Sequence, residues 1–211
     1  MNIAFADEYF ELDPSGAVFW TLQETLIISD LHLGKITHFR KHGAALPTAA
    51  IDENFTKMDQ VISCYKPQRV IFLGDLFHSN YNSEFDAFAL WTEQQAVQLH
   101  LVYGNHDLID PARYEELGVV CDYQLSFDGI RLQHYPESEP DTSELPLICG
   151  HVHPSYEVKG LTKQRIRLKC FHIQPNQLIL PAFGIFTGSH PIQPKINDRV
   201  IVIAEDQLIA I

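Results

Sequence analysis

Apolar positions along the chain fall first into short runs, then at helical spacing, then into short runs again, and this alternation predicts a mixed α/β domain. Tyr9 to Leu12 and Ala17 to Thr21 flank Asp13-Pro14-Ser15-Gly16, a turn sequence, so a hairpin opens the chain. The run Leu26 to Ser29 predicts a buried strand. From Pro47 to Tyr65, the residues Ile51, Phe55, Met58 and Ile62 repeat at the spacing of one helical face, with proline suited to the entry. Val70 to Leu73 predicts a second strand. Ser83-Glu84-Phe85-Asp86 has the form of a capping box, and Phe85, Phe88, Ala89, Thr92 and Ala96 carry a helix toward the strand Leu99 to Tyr103. A short helix is expected over Pro111 to Leu117. Beyond it the pattern is strand-rich: Val119 to Phe127, Ile130 to His134, Leu147 to Cys149, Arg165 to Ile173, Leu178 to Leu180, Arg199 to Ala204 and Leu208 to Ile211. Two packed sheets flanked by helices, in a single domain over residues 1–211, follow from that division.

Composition agrees with an ordinary globular protein. The chain has 211 residues, 45% hydrophobic and 20% charged, and shows no low-complexity tract or repeat at solenoid spacing. Met1 to Phe10 carries Asp7 and Glu8 in place of a basic segment before a long apolar stretch. No apolar run approaches the roughly 18 residues of a membrane span, so a cytoplasmic protein with no membrane contact is expected. Cys64, Cys121, Cys149 and Cys170 are far apart and form no Cys-x-x-Cys pair, which argues against a zinc ribbon or a thioredoxin-like centre. They are expected as buried free thiols. Of the four, Cys149 precedes a histidine motif, where oxidation would matter.

The net charge of -12 argues against a polyanionic partner, because affinity for nucleic acid comes largely from neutralising phosphates. Distribution changes the picture. Eight of the 15 Lys and Arg residues lie in two windows free of Asp and Glu: Lys35, Arg40 and Lys41, then Lys159, Lys163, Arg165, Arg167 and Lys169. Either the windows flank a phosphate-binding centre, or they are solvated charged faces. Arg165, Arg167 and Lys169 alternate with Ile166, Leu168 and Cys170, as on a strand with one wet face.

Candidate chemistry sits where the apolar runs end. Four motifs follow such runs in order: Asp30-Leu31-His32, Gly74-Asp75-Leu76-Phe77-His78, Gly104-Asn105-His106-Asp107 and Gly150-His151-Val152-His153. Loops anchored on a sheet are where chemistry is usually placed. Asp30 and His32 are two apart, so on a regular strand they share a face, and at its end both reach one metal ion. Carboxylate and imidazole without thiolate suit manganese, iron or zinc. Asp75 can bridge two ions, whose separation in such centres is about 3.5 to 4 Å, while Gly74 lets the backbone come close.

Asn105 offers a neutral amide oxygen to a metal, and His106 is placed to protonate a leaving-group oxygen. Asp107 is expected to hold that imidazole and raise its proton affinity. A plain turn with a hydrogen-bonded histidine is the alternative for this motif. His151 and His153 suit one ligand for each ion. His134, between the third and fourth motifs and ahead of a loop rich in Pro and Glu, is the remaining imidazole; a capping histidine is its alternative. His78, His100, His172 and His190 are expected to be packed or surface residues. Lys35, His38, Arg40 and Lys41, with His42, are the candidates for phosphate contact.

Taken in order, the motifs resemble those of the calcineurin-like metallophosphoesterases, from Leu26 to about Ser189. Asp30-Leu31-His32-Leu33-Gly34-Lys35 with Phe39-Arg40-Lys41-His42-Gly43, Gly74 to Ser79, and Leu180-Pro181-Ala182-Phe183-Gly184 before Phe186-Thr187-Gly188 resemble more narrowly the bacterial ligase-associated DNA damage response endonuclease branch. The resemblance implies a four-layer αββα sandwich with two mixed sheets, and a binuclear centre used with manganese. Asp30, His32, Asp75 and His153 would hold one ion; Asp75, Asn105, His134 and His151 would hold the other; His106 would be the general acid. Two positions depart from the superfamily pattern: His78 ends the usual Gly-Asp-x-x-Asp, and Tyr135-Pro136 follows His134 where glycine is more usual.

Three functions are compatible with these residues. One is a metal-dependent phosphodiesterase acting on DNA, for which the family resemblance implies a place beside other repair enzymes, with an oligomer compatible. A second keeps the chemistry for a small nucleotide or another phosphoester, which the acidic balance favours. The third is a binding scaffold on a dead enzyme fold, which should lack ligands; none of the seven is missing.

Overall fold

The computed structural model describes residues 1–41, 49–78, 81–138, 144–159 and 164–211. Its first half interleaves strands and helices in the order β1 (Asn2–Phe5), β2 (Glu8–Leu12), β3 (Val18–Trp20), β4 (Thr25–Ile28), α1 (Lys35–Lys41), α2 (Ala49–Tyr65), β5 (Arg69–Leu73), α3 (Ser83–Thr92), β6 (Gln98–Val102), α4 (Pro111–Glu115) and β7 (Val120–Asp122). The strands form one mixed sheet in chain order, antiparallel from β1 to β4 and parallel from β4 to β7. The opening turn closes as its residues dictate: Ser15 N donates to Asp13 Oδ1 at 2.8 Å, and Gly16 takes a φ of +97°.

β1 was not expected. It folds back on β2 through Ala6 and Asp7, at φ 55° and 61°, a left-handed pair that hairpins usually mark with Asn-Gly.

The second half supplies β8 (Leu125–Phe127), β9 (Ile130–Leu132), β10 (Leu147–Cys149), β11 (Pro154–Lys159), β12 (Arg165–Gln174), β13 (Gln177–Ile179), β14 (His190–Pro191), β15 (Arg199–Ala204) and β16 (Gln207–Ala210). These form a second mixed sheet, ordered β14-β11-β12-β13-β10-β9-β8, with β15 and β16 added through β12. The run Val119 to Phe127, expected as one strand, is two. β7 closes the first sheet beside β6, the chain breaks at Tyr123-Gln124, and β8 starts the second sheet against β9.

Side-chain alternation along β4 to β6 builds two cores. Leu26, Ile28, Val70, Phe72, Leu99 and Leu101 pack outward against Met58 and Val61 of α2, Phe85, Phe88 and Trp91 of α3, and Tyr114 of α4. Ile27, Ile71 and Leu73 face inward with Leu132, Ile148, Phe171, Leu178 and Ile201 of the second sheet. Burial on both faces explains why these strands read as unbroken apolar runs.

The two packed mixed sheets match the expected fold, but all helices among the described residues lie between Lys35 and Glu115. On the other outer face, the buried apolar clusters among the described residues are small: Leu147, Cys149 and Ile179, and Cys170, Val200 and Val202. Such small clusters give a helix little to cover. The thiols divide similarly: Cys149 and Cys170 are buried, Cys121 is half-buried and Cys64 is exposed.

One cap differs from the expected box. Asn82 caps α3, its Oδ1 accepting from Glu84 N at 2.9 Å. Glu84 instead turns its carboxylate to the entry of α1, accepting from Gly34 N at 2.6 Å and from Thr37 N and Oγ1 at 3.1 and 2.6 Å. That fixes the loop carrying Asp30 and His32.

Candidate metal centre

Five parallel strands end at the same edge of the molecule. Asp30 and His32 follow β4, Asp75 follows β5, and Asn105 to Asp107 follow β6 in the first sheet; His134 follows β9, and His151 and His153 follow β10 in the second. Their carboxyl ends converge there, as the carboxyl ends of parallel strands do around ligand crevices in α/β sheets.

The ligand loops leave regular strand geometry at once. Asp30, His32, Asp75, His151 and His153 all have left-handed backbones, with φ of 54°, 52°, 52°, 68° and 50°. Each such residue costs about 1 kcal/mol or more, so the surroundings must impose the shape. They do: Asp30 N donates to Gly74 O at 3.2 Å, His32 N to Asp75 O at 2.9 Å, and His151 N to Asp30 Oδ2 at 2.9 Å. Asp30 and His32 therefore meet through two turns of the backbone and not through a strand pleat.

The side chains gather into two groups. Asp30, His32 and His153 place one ligand atom each within 4.8 Å of one another, as do Asp75, His134 and His151. In the first, Asp30 Oδ1 lies 2.9 Å from His153 Nε2 and 4.0 Å from His32 Nε2. In the second, His134 Nε2 lies 3.5 Å from Asp75 Oδ1, 3.1 Å from His151 Nδ1 and 3.3 Å from Asn105 Oδ1. Asp75 also faces the first group, its Oδ2 3.6 Å from His32 Nε2.

Several of these atoms are buried without an aligned hydrogen bond: Asp30 Oδ1, both ring nitrogens of His32, and His153 Nε2. Buried polar atoms are rarely left so in folded proteins. A carboxylate oxygen and two imidazole nitrogens crowded together, with Asp30 Oδ1 and His153 Nε2 2.9 Å apart, are a donor set that a divalent cation would satisfy.

Electrostatics favours ligand protonation states at Asp30, Asp75, His32 and His151. Burial opposes ionisation of Asp30, yet the close contact and charge of His153, with charge from His134 and the Ser29 hydrogen bond, hold its carboxyl below the usual range. For Asp75, burial is likewise outweighed, chiefly by His134, and its pKa falls to about 2. Burial takes His32 down to about 3 despite both carboxylates, so its ring stays neutral with a lone pair to offer. His151 also moves down, through burial and the charge of His134. His134 moves up, because Asp75 and Asp30 overcome its burial.

Three motif glycines are spaces, not hinges. A Cβ on Gly74 would lie 2.1 Å from His134 Nδ1, one on Gly104 2.2 Å from Asp75 Oδ1, and one on Gly150 1.8 Å from Ser29 Oγ.

Asp107 does not hold His106. Its Oδ2 accepts from Asp75 N and Gly104 N, both at 2.8 Å, and its Oδ1 accepts from Phe77 N at 3.1 Å. Those amides belong to the loops carrying Asp75 and His106, so the carboxylate ties two motifs together. Burial pushes its pKa up to about 7 against the pull of these donors.

A family model described as Calcineurin-like phosphoesterase matches residues 24–198, a span holding every ligand candidate. The chain belongs to the calcineurin-like phosphoesterases. It is accordingly a metal-dependent hydrolase of phosphoesters. Among solved structures, the Pseudomonas putida nuclease MPE superposes with a TM-score of 0.83 and 24% identity, over 100% of this chain and 99% of that one, a likeness of fold. Yfce, a phosphoesterase from E. coli, gives a TM-score of 0.41 and 16% identity over 88% of this chain and 96% of that one. No curated protein matches the sequence.

Around this phosphoesterase centre stand residues that were not among the expected site residues. His78 is a centre residue: its ring stacks on His106 at 5.0 Å and meets His32 edge-on at 5.5 Å. Its place in the second motif was the signal. Ser29 donates to Asp30 Oδ2 at 2.6 Å.

Lys169 does not share the wet face expected for it with Arg165 and Arg167, which are exposed. It is half-buried, donating to Ala182 O at 2.7 Å and Gly184 O at 3.0 Å. Lys57 of α2 donates to Phe183 O at 2.7 Å. This loop in turn binds Ser29 O and Asp30 O through Phe183 N and Gly184 N, at 2.9 and 3.2 Å.

Of the phosphate-contact candidates, Lys35 opens α1, half-buried within the fields of Asp75 and Asp30. His38, Arg40 and Lys41 lie on the same helix. His42 and Lys163 fall outside the described residues. Arg165 pairs with Glu157 at 2.9 Å. His172 is buried against Asp198 at 2.7 Å, and His190 is exposed.

Proposed function

We propose that this calcineurin-like phosphoesterase is a binuclear phosphodiesterase acting on DNA. One observation carries the binuclear part: the two oxygens of Asp75 face different groups, Oδ2 3.6 Å from His32 Nε2 and Oδ1 3.5 Å from His134 Nε2. A carboxylate so placed is suited to bridging. Asp30, His32, Asp75 and His153 would hold one ion, and Asp75, Asn105, His134 and His151 the other. Two divalent ions there, manganese first and iron or zinc as alternatives, would neutralise a bound phosphate and lower the pKa of a shared water.

The chain's own residues do the rest. His106, whose ring lies 5.3 Å from that of His32, sits beside the first group, where its proton can pass to the departing alkoxide. Asp107 keeps the loops of Asp75 and His106 in register through its three backbone contacts. Lys35, within the fields of Asp75 and Asp30, and Lys169, within that of Asp30, add positive charge near the carboxylates, which would lower the cost of bringing in an anion.

DNA as the substrate is supported by the basic character of α1, where Lys35, His38, Arg40 and Lys41 follow directly on the Asp30 motif. It is supported also by the resemblance to the ligase-associated endonuclease branch, which would set the enzyme beside other repair proteins in the cytoplasm. The solved neighbour of similar fold is itself named a nuclease. Replacing Lys35, Arg40 and Lys41 together by alanine should weaken cleavage of DNA more than hydrolysis of bis(p-nitrophenyl) phosphate. Equal losses on both would remove the DNA contact. The net charge of -12 favours the second reading, a small nucleotide or other phosphoester. Manganese-supplemented assays on linear, circular and single-stranded DNA and on cyclic nucleotides separate the two.

A further inference from the structure

Tyr135 stands against the ligand rings yet remains open to solvent. Its ring centroid is 5.0 Å from that of His134 and 4.8 Å from that of His151, while His134 itself is 1% exposed and Tyr135 is 46% exposed. The backbone beneath it is fixed. Gln133 Nε2 donates to Tyr135 O at 2.8 Å, Gly150 N to His134 O at 3.1 Å, and Glu137 N to Gln177 Oε1 at 2.7 Å, with Pro136 between. Among the described residues its hydroxyl makes no hydrogen bond. A rigid, half-exposed aromatic ring beside a phosphate-handling centre presents a surface to whatever is esterified to that phosphate.

We propose that Tyr135 is a stacking platform for a planar group, a nucleobase, on the ester arm that stays with the phosphate. The assignment rests on the phosphodiesterase reading above. Ring contacts join His106 to His32 of the first group and Tyr135 to His134 and His151 of the second, so acid and platform lie beside different ligand groups. The leaving arm belongs with the proton donor. The retained arm is then the one that reaches Tyr135. Stacking of this kind tolerates any base, because each has a π-face, and it requires the base to be unstacked from its neighbours.

The test uses two esters with one leaving group, thymidine 5′-(p-nitrophenyl phosphate) and methyl p-nitrophenyl phosphate, with manganese at saturation. Tyr135→Ala should raise KM for the thymidine ester about tenfold, at the lower end of base stacking, and leave kcat and the methyl ester within about twofold. Tyr135→Trp should restore the thymidine ester. Calorimetric affinity for manganese should not change, whereas that for thymidine 5′-monophosphate should fall about tenfold in Tyr135→Ala and that for methyl phosphate should hold. Parallel losses on both esters, or weakened manganese binding, would make the ring mere packing for His151 and overturn the proposal. If the wild type cleaves neither ester, the phosphodiesterase reading fails. The calorimetry still decides on the platform, and equal affinity of the wild type for the two monophosphates would reject it.

Discussion

Replacing Gly104 by alanine should disable the enzyme without unfolding it. A Cβ there would lie 2.2 Å from Asp75 Oδ1, 2.5 Å from Asp75 N and 3.0 Å from Asp75 Cγ, where ordinary contact begins at 3.4 Å. About 1.2 Å of overlap must therefore be relieved, and one of the atoms in the way is backbone pinned by Asp107. Gly104 is not in the left-handed region, so no conformational penalty is mixed with the steric one. Relief must come from the Asp75 carboxylate or from the loop bearing Asn105 and His106.

A displacement of about 1 Å at a reacting centre costs on the order of 100-fold in rate, so kcat/KM on bis(p-nitrophenyl) phosphate should fall at least that far. That is about 2.7 kcal/mol of transition-state stabilisation. Overpacking should take only about 1 to 3 kcal/mol from stability, leaving a folded protein by circular dichroism. Gly188→Ala is the control, because nothing lies within 4 Å of its added carbon and its backbone is not left-handed. A Gly104→Ala protein with activity within fivefold of wild type would refute the claim that this glycine makes room for Asp75.

Other expectations follow from single contacts. Asp107→Ala strands three backbone N–H groups, and urea unfolding should show a loss of about 2 kcal/mol, with activity falling as well; an unchanged midpoint would count against the tie between the two loops. His106→Ala should reduce cleavage of DNA, whose alkoxide needs a proton, by about 100-fold or more, and cleavage of the p-nitrophenyl ester much less; equal losses would take the acid role from His106. Burial lowers Lys57 to about 7 and Lys169 to about 8, so between those values and about 10.4 the unfolded chain binds more protons and stability rises with pH. Urea unfolding at pH 6.5 and 9.5 should show that rise in the wild type and a smaller one in the Lys57→Met, Lys169→Met protein, whereas identical pH profiles would contradict it.

The positions of the candidate ligands were legible because each follows a run that reads as strand, and a polar residue ending such an apolar stretch falls at the end of the strand. Conformation was not legible there. Nothing in Asp30-Leu31-His32 announces two left-handed residues, since that backbone is imposed by Gly74 O and Asp75 O across from it.

The contacts of Asp107 differ from those expected for a related reason. Adjacency to His106 suggested a side-chain partner, whereas its contacts are backbone amides brought close only by the meeting of β5 and β6. Lys169 alternates like a surface lysine, and only the carbonyls of residues 182 and 184 turn it inward. Glu84 occupied the right place for a capping box, but Asn82 caps the helix and Glu84 serves α1. Long-range partners decided every one of these cases.

Metal stoichiometry bears most directly on the account, because the mechanism stands on Asp75 facing two sites. Calorimetric titration of the wild type with manganese should give two ions per chain, His153→Ala should retain one tight site, and Asp75→Asn should weaken both together. A single ion bound by the wild type, or an Asp75→Asn protein that keeps one site at full strength, would contradict it.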